Sequence, residues 1–359
     1  MGSTLLARLV SKSINKKIAV VFFMALIVRL AVFWQVMGHP GVVFQPDSRM
    51  YVSLAEGLVH HHSFCYPNYP SRPDVERMPA YPLFLAGVLK WGSGGFLPAI
   101  LIQVLFDCLS CVLIYLLAEK LWKGAGWLAG VLSAVNIGMI TYAHFILNDS
   151  LFLFVFLLVL IALFRGIEKG DWKGCILTGS GCALSVYIRP VTMYFPLFLI
   201  PFLFLFLLIK HKNGFFLAAG KSIAVVAVFF FFLSPWLVRN HIHYGRYRLI
   251  SQAGEHILQY VVPFVWQYSK GIPFIEGMKK ANREFDERMR DEGVKPDELN
   301  PFEKSDRRVK FALEILKEEP KSAILKAWVF GMTKNLFAPS IIDMSYLLGV
   351  ERPHFFYTK

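Results

Sequence analysis

Two acids and three arginines stand at the ends of long apolar runs, where a side chain would meet water: Asp47, Arg77, Asp149, Arg189 and Arg239. A carboxylate so placed can take a proton from a hydroxyl or amine. Guanidinium forks match phosphate oxygens in pairs. Each residue also has a plainer explanation. Asp47 follows Pro46 and can N-cap a helix that begins at Ser48, and Asp149 can cap the run that it opens and complement its dipole. Arginines at span ends snorkel towards headgroups. The combination favours a site, with Asp47 as the general base, Asp149 as a second carboxylate, and Arg77, Arg189 and Arg239 around a phosphate or pyrophosphate. Helical spacing puts Tyr51 and Leu54 or Ala55 on the Asp47 side, while Glu76 and Asn240 adjoin two of the arginines.

The elements that must position these residues are membrane spans. The chain has 359 residues, 55% of them hydrophobic, with 33 Phe, too apolar for an ordinary soluble domain of this length. The first apolar run is too long, and lacks a small-residue cleavage site, for a removable signal peptide, so it reads as a retained anchor. Spans of roughly 20 residues fall at 18–38, 95–118, 126–147, 150–166, 174–188, 194–210 and 217–238. The expected fold is therefore an all-α polytopic membrane protein of about seven transmembrane helices. Its first external loop, 39–94, carries a helix-compatible run from Ser48 to Leu58.

Charge orients the bundle. Arg8, Lys12, Lys16 and Lys17 precede the first span without an acid, and Lys120, Lys123, Arg165, Lys169, Lys173, Lys210, Lys212 and Lys221 fill the loops on the same side. The positive-inside rule makes that side cytoplasmic. Asp47, Glu76, Arg77, Asn148, Asp149, Arg189, Arg239 and Asn240 then converge on the opposite face. Residues 1–238 read as a transmembrane module and 239–359 as an extracytoplasmic or interfacial helical segment. Within the latter, 239–274 reads as an ordered loop, 276–320 as two charged helices broken near Pro296 and Pro301, and Lys321 to Phe337 as a helix lying in the interface.

The net charge of +13 suits anionic headgroups or phosphorylated lipids. Nucleic acid is not an expected partner, because the basic residues cluster at span ends. The five cysteines show neither metal nor disulfide spacing. His60, His61 and His62 lack a well-spaced carboxylate, so no metal ligand is assigned, although a divalent metal at the phosphate stays open. No HExxH, glycine-rich phosphate cradle, GxSxG elbow or βαβ pattern is present. Any glycosyl or phosphate donor must therefore be presented by lipid. Arg29 lies midway along the first span and needs a partner; Gln103 and Asp107, four apart on the second span, are the candidates.

The stretches PDSRMYVSLAEGL, ERMPAYPLFLAGVL, ILNDSLFLF, SVYIRPVTMYF and SPWLVRNHIHYGRYRLIS, in that order, resemble the signatures of the dolichyl-phosphate-mannose protein mannosyltransferase and aminoarabinose transferase superfamily. The resemblance covers roughly residues 18–340. It implies a GT-C bundle of seven spans with amphipathic surface helices in the first external loop, a catalytic acid in that loop, and a polyprenyl-phosphate-sugar donor held by basic side chains. By motif match, Asp47 takes the place of that acid. Arg77 and Pro79 match the loop-one Arg-x-Pro, Asp149 matches the acid opening the fourth span, and Arg189 with Trp236, Arg239 and Asn240 match later signatures. Some members carry two adjacent acids in loop one, whereas Ser48 follows Asp47 here, and family chains commonly continue into further spans and a soluble domain.

The expected activity is inverting sugar transfer to an extracytoplasmic lipid, glycan or protein, at the inner membrane if the source is bacterial. The competing class is a transporter or flippase of phosphorylated polyprenyl lipids, which would line a path with the same residues; inverted repeats and broken helices in matching halves, which would favour it, are not visible. A structural membrane subunit would leave the outside charges unexplained.

Overall fold

The apolar segments form helices because lipid offers the backbone no hydrogen-bond partner, so each segment must satisfy its own N–H and C=O groups. The computed structural model describes residues 2–91, 95–210, 214–295, 298–337 and 340–350. Among these there is no strand beyond an isolated bridge between Cys65 and Pro73. Five helical stretches are long and apolar enough to cross a membrane: Asn15–Gly38, Leu97–Leu121, Asp149–Lys169, Pro190–Ile209 and Phe215–Tyr244. The chain is an integral, multi-pass membrane protein.

The other two expected spans take different forms. The span expected at 126–147 is a pair of helices, Ala125–Ala134 and Ile137–His144, bent by 48°. The span expected at 174–188 is the helix Trp172–Ile188 of 17 residues, about 25 Å long and at the short end of what crosses a bilayer.

In chain order the helices are α1 (Gly2–Gly38), α2 (Pro46–His61), α3 (Ala80–Trp91), α4 (Leu97–Leu121), α5 (Ala125–Ala134), α6 (Ile137–His144), α7 (Asp149–Lys169), α8 (Trp172–Ile188), α9 (Phe195–Lys210) and α10 (Phe215–Tyr244). They are followed by α11 (Ala253–His256), α12 (Val262–Ser269), α13 (Phe274–Asp291), α14 (Pro301–Glu318), α15 (Lys321–Phe337) and α16 (Ile341–Leu347). Contacts divide the chain into two units. The first comprises Met1–Asp74, Met78–Pro235 and Ser340–Val350, and the second Val75–Arg77, Trp236–Pro339 and Glu351–Lys359.

In the first unit α4 packs against α1, α5 and α7, α7 against α8, and α2 against α3. Arg29 explains both the packing of α1 on α4 and the bend between α5 and α6. Its Nε bonds Asp107 Oδ2 at 2.5 Å, and its Nη1 donates to the carbonyls of Ala134 at 2.8 Å and Ala25 at 3.2 Å. The last carbonyls of a helix have no partner inside it. Here the guanidinium supplies one, and Asn136 restarts the helix by accepting from Met139 N at 2.9 Å.

Helices α7 and α8 form a hairpin that only glycine permits at its closed end. A Cβ on Gly174 would stand 2.2 Å from Gly166 Cα. Between them Gly170 takes a φ of 58°, and Lys221 Nζ donates to its carbonyl at 2.6 Å. Close backbone approach through small residues is a common way for helices to pair in lipid, where burial of apolar surface gives no drive.

The second unit is helical earlier than expected. Residues 239–274, read from sequence as an ordered loop, hold the end of α10, then α11, a π-helical turn Ile257–Val261, and α12. Of these residues only 245–252 and 270–273 are non-helical. Leu258, Val262 and Trp266 bury against Ala281, Phe285, Met289 and Ala312, which gives the intervening aromatic segment a core to fold onto. The two charged helices occur as α13 and α14, and residues 296–297, where a break was expected near Pro296, lie outside the described residues.

Candidate active site

In the first unit, Asp47 lies in the first turn of α2 and is exposed. It is not the N-cap. That position is Gln45, whose N–H donates to Ser48 Oγ at 2.8 Å while Ser48 N donates back to Gln45 O at 2.9 Å. The expectation of a cap at Asp47 is corrected: Pro46 at the first helical position moves the helix start two residues upstream of Ser48. The carboxylate still favours the positive end of the helix.

Tyr51, Leu54 and Ala55, one and two turns on, are buried. The Tyr51 ring meets Tyr81 of α3 edge to face, with centroids 5.0 Å apart. Tyr81 Oη donates to Gln103 Oε1 at 2.6 Å, and the Gln103 amide donates to the carbonyls of Phe145 at 2.7 Å and Ala143 at 3.2 Å. Gln103 therefore joins α3 to the end of α6, while Asp107 alone of the two candidates bonds Arg29. Burial pushes the Tyr81 phenol well above its ordinary range, and Tyr51 and Asp149 push it further. It stays a hydrogen-bond donor at every physiological pH.

Asp149 opens α7 and Arg189 ends α8, and their side chains form an ion pair. The hairpin dictates this meeting: its glycines close one end, so residue 149 and residue 189 emerge together at the other. Asn148 fixes the register, its Nδ2 donating to Ile188 O at 2.8 Å. The Arg189 side chain is 44% exposed and that of Asp149 28%, so the pair faces the surroundings at the mouth of the hairpin. Near it lies a cavity of about 280 Å³ lined by residues including Asp107, Tyr142, Asp149 and Ser150.

In the second unit, Arg239 lies over the Trp236 ring at 4.4 Å and donates to Asn240 Oδ1 at 2.8 Å. Asn240 and Trp236 hold the loop that follows. Asn240 Nδ2 donates to the carbonyls of Arg248 at 2.7 Å and Leu249 at 3.1 Å, and Trp236 Nε1 to that of Leu249 at 2.9 Å. The same loop ties in residues 75–77: Ser251 N donates to Val75 O at 2.9 Å. With the Gln252 amide turned so that its nitrogen donates to Glu76 O, its oxygen faces the Arg77 guanidinium. The sequence-predicted residues thus form two groups: Tyr51, Asp149 and Arg189 with Asp47 on α2 in one unit, and Glu76, Arg77, Arg239 and Asn240 in the other. Among the described residues no three His, Cys, Asp or Glu side chains converge as metal ligands, and His60 to His62 are exposed at the end of α2.

Residues 71–238, just under half the chain, match the model of the dolichyl-phosphate-mannose-protein mannosyltransferase family. Over that segment the chain is similar to this family, and the match supports a membrane glycosyltransferase of the GT-C type. No match to a curated protein was found. The matched segment runs from the loop before Arg77 to the residue before Arg239. It takes in the hairpin and its ion pair, whereas Asp47 and α2 precede it. Sequence reasoning missed three residues that the fold brings to the group: Tyr81, Tyr142 and Ser150. Tyr81 had a signal, since it follows the Arg-x-Pro stretch. Ser150 had none, being one hydroxyl in an apolar run.

Proposed function

We propose that the protein is a membrane glycosyltransferase that moves a hexosyl or pentosyl group from a polyprenyl-phosphate-linked donor to an acceptor hydroxyl or amine on the extracytoplasmic face, with inversion at the anomeric carbon. The family match supports transfer from such a lipid donor. One observation carries the finer reading: an exposed carboxylate, Asp47, sits in the first turn of a surface helix whose cap is made by other residues.

The acceptor oxygen or nitrogen attacks the anomeric carbon as its proton passes to Asp47. The bond from that carbon to the phosphate oxygen breaks, and polyprenyl phosphate leaves with the electron pair. Arg77, Arg189 and Arg239 stabilise the charge that grows on the phosphate. Asp149 holds the Arg189 guanidinium at the mouth of the hairpin, and Asn240 and Glu76 belong to the scaffold that orients the other two. A phosphate so paired needs no general acid to leave.

The test is Asp47→Asn in the full-length protein. The helix keeps its cap, so folding and donor binding should persist while transfer falls by about 10²–10⁴-fold, the usual contribution of a general base. Full activity in a folded variant would remove Asp47 from the role and leave Asp149 as the acid to test.

A further inference from the structure

Ser150 is the second residue of α7, beside the Asp149–Arg189 pair. It is only 3% exposed, yet its Oγ has no hydrogen-bond partner. Helical hydroxyls in this chain bond a carbonyl three or four residues back, as Ser185 does to Cys182 at 2.7 Å and Ser110 to Phe106 at 2.8 Å. For Ser150 those residues are Leu147 and Ile146, which both precede α7, and neither carbonyl accepts from it. A buried hydroxyl left so is costly, and such groups in native proteins call for an explanation.

The cavity that Ser150 lines supplies one. Its volume of about 280 Å³ is near the lower end for small-molecule sites. Its polar walls are Asp107, Asn136, Tyr142, Asp149 and Ser150, with the Phe152 ring beside them, and neither Lys nor Arg lines it. The arginine contacts use one oxygen of each carboxylate, Asp107 Oδ2 and Asp149 Oδ1, which leaves the second oxygens able to accept. Each carboxylate is already neutralised by an arginine that does not line the cavity, so the walls offer hydrogen-bond acceptors and no cation for a phosphate. The same carboxylates, with an amide, a hydroxyl and aromatic faces, suit a ring bearing several hydroxyls as donors.

We propose that this cavity is the subsite for the sugar ring of the donor, as distinct from its phosphate, and that Ser150 is a specificity-determining residue within it. The inference rests on the transfer reading above.

The experiment compares wild type, Ser150→Ala and Ser150→Leu, full length in nanodiscs and checked for a monodisperse folded state. Two kinds of probe are bound to each: bare polyprenyl phosphate, and polyprenyl phosphates carrying mannose, glucose, galactose or arabinose. Wild type should bind at least one sugar-bearing lipid more tightly than the bare lipid. Loss of one hydrogen bond in Ser150→Ala should weaken that lipid about 3–10-fold. Filling the cavity in Ser150→Leu should weaken it by more than about 10-fold. The bare lipid should bind all three proteins alike. Equal losses for both kinds of lipid, no loss in either variant, or no preference of wild type for any sugar would overturn the subsite. If wild type bound neither kind of lipid, the transfer reading itself would fall, and the subsite with it.

Discussion

Arg29 and Asp107, 78 positions apart, meet inside the first unit at 2.5 Å with side-chain exposures of 0% and 1%. The pair does two jobs at once. It neutralises a guanidinium in a span, where an unpaired arginine costs about 2.5–3.5 kcal/mol or more, and it holds that guanidinium against the carbonyls where α5 ends. The bend that places Asn136 and Tyr142 beside the cavity depends on both.

Removing either partner alone should therefore be severe. Arg29→Gln or Asp107→Ala leaves the other charge buried, and the expected loss is about 3–5 kcal/mol. Replacing both, as Arg29→Met with Asp107→Leu, should recover part of it. Thermal unfolding of purified protein in detergent measures this. Losses that simply add in the double variant would show that the two residues act independently.

Asp149 and Arg189 behave oppositely, because their pair is partly exposed. Exposed pairs contribute only about 0.2–1 kcal/mol, so Arg189→Ala should unfold within a few degrees of wild type. Donor affinity should nevertheless fall, and Arg189→Lys should restore only part of it, because an ammonium lacks the two-pronged fork. Measuring unfolding and donor binding on the same preparations separates the two effects. Unchanged affinity in Arg189→Ala would leave the arginine with a snorkelling role.

A pH dependence is built into the second unit. Glu319 is 3% exposed and its Oε1 meets Lys270 Nζ at 2.5 Å and Trp266 Nε1 at 2.9 Å. Burial alone would raise its carboxyl; the ammonium and the indole N–H outweigh that and hold it below the ordinary glutamate range. The folded state therefore favours the carboxylate. The stabilisation is complete above the ordinary carboxylate range and is lost as pH falls through the lowered value. Unfolding measured from pH 7 down to about pH 2 should show the loss in wild type and a flatter profile in Glu319→Gln. Identical profiles would mean that the pair does not govern acid stability.

Topology gives a further check. The five native cysteines are all buried, so single cysteines introduced at Ser71, Gly124 and Glu284 report cleanly on sidedness. An impermeant thiol reagent applied to intact cells should label positions 71 and 284 and spare 124. Labelling of 124 alone would invert the orientation and put the proposed site on the cytoplasmic side.

Much of this protein was legible in the sequence because lipid narrows the choices. Apolar length specifies helix where no water can satisfy the backbone, and basic residues at one set of span ends suggest the orientation. An arginine in the middle of a span likewise advertises that a partner exists. The sequence narrowed that partner to Gln103 or Asp107 and could go no further, since both lie one turn apart on one helix face. Tertiary structure assigned Asp107 to Arg29 and Gln103 to Tyr81, because α1 meets α4 at one level and α3 at another. It also broke the third span, by letting a side chain from α1 take carbonyls that a continuous helix would have kept. The meeting of Asp149 with Arg189 depended on two glycines far from both, which set how closely α7 and α8 approach. Ser150 was invisible for the same reason: a hydroxyl becomes notable only when the fold denies it a partner and puts a cavity beside it.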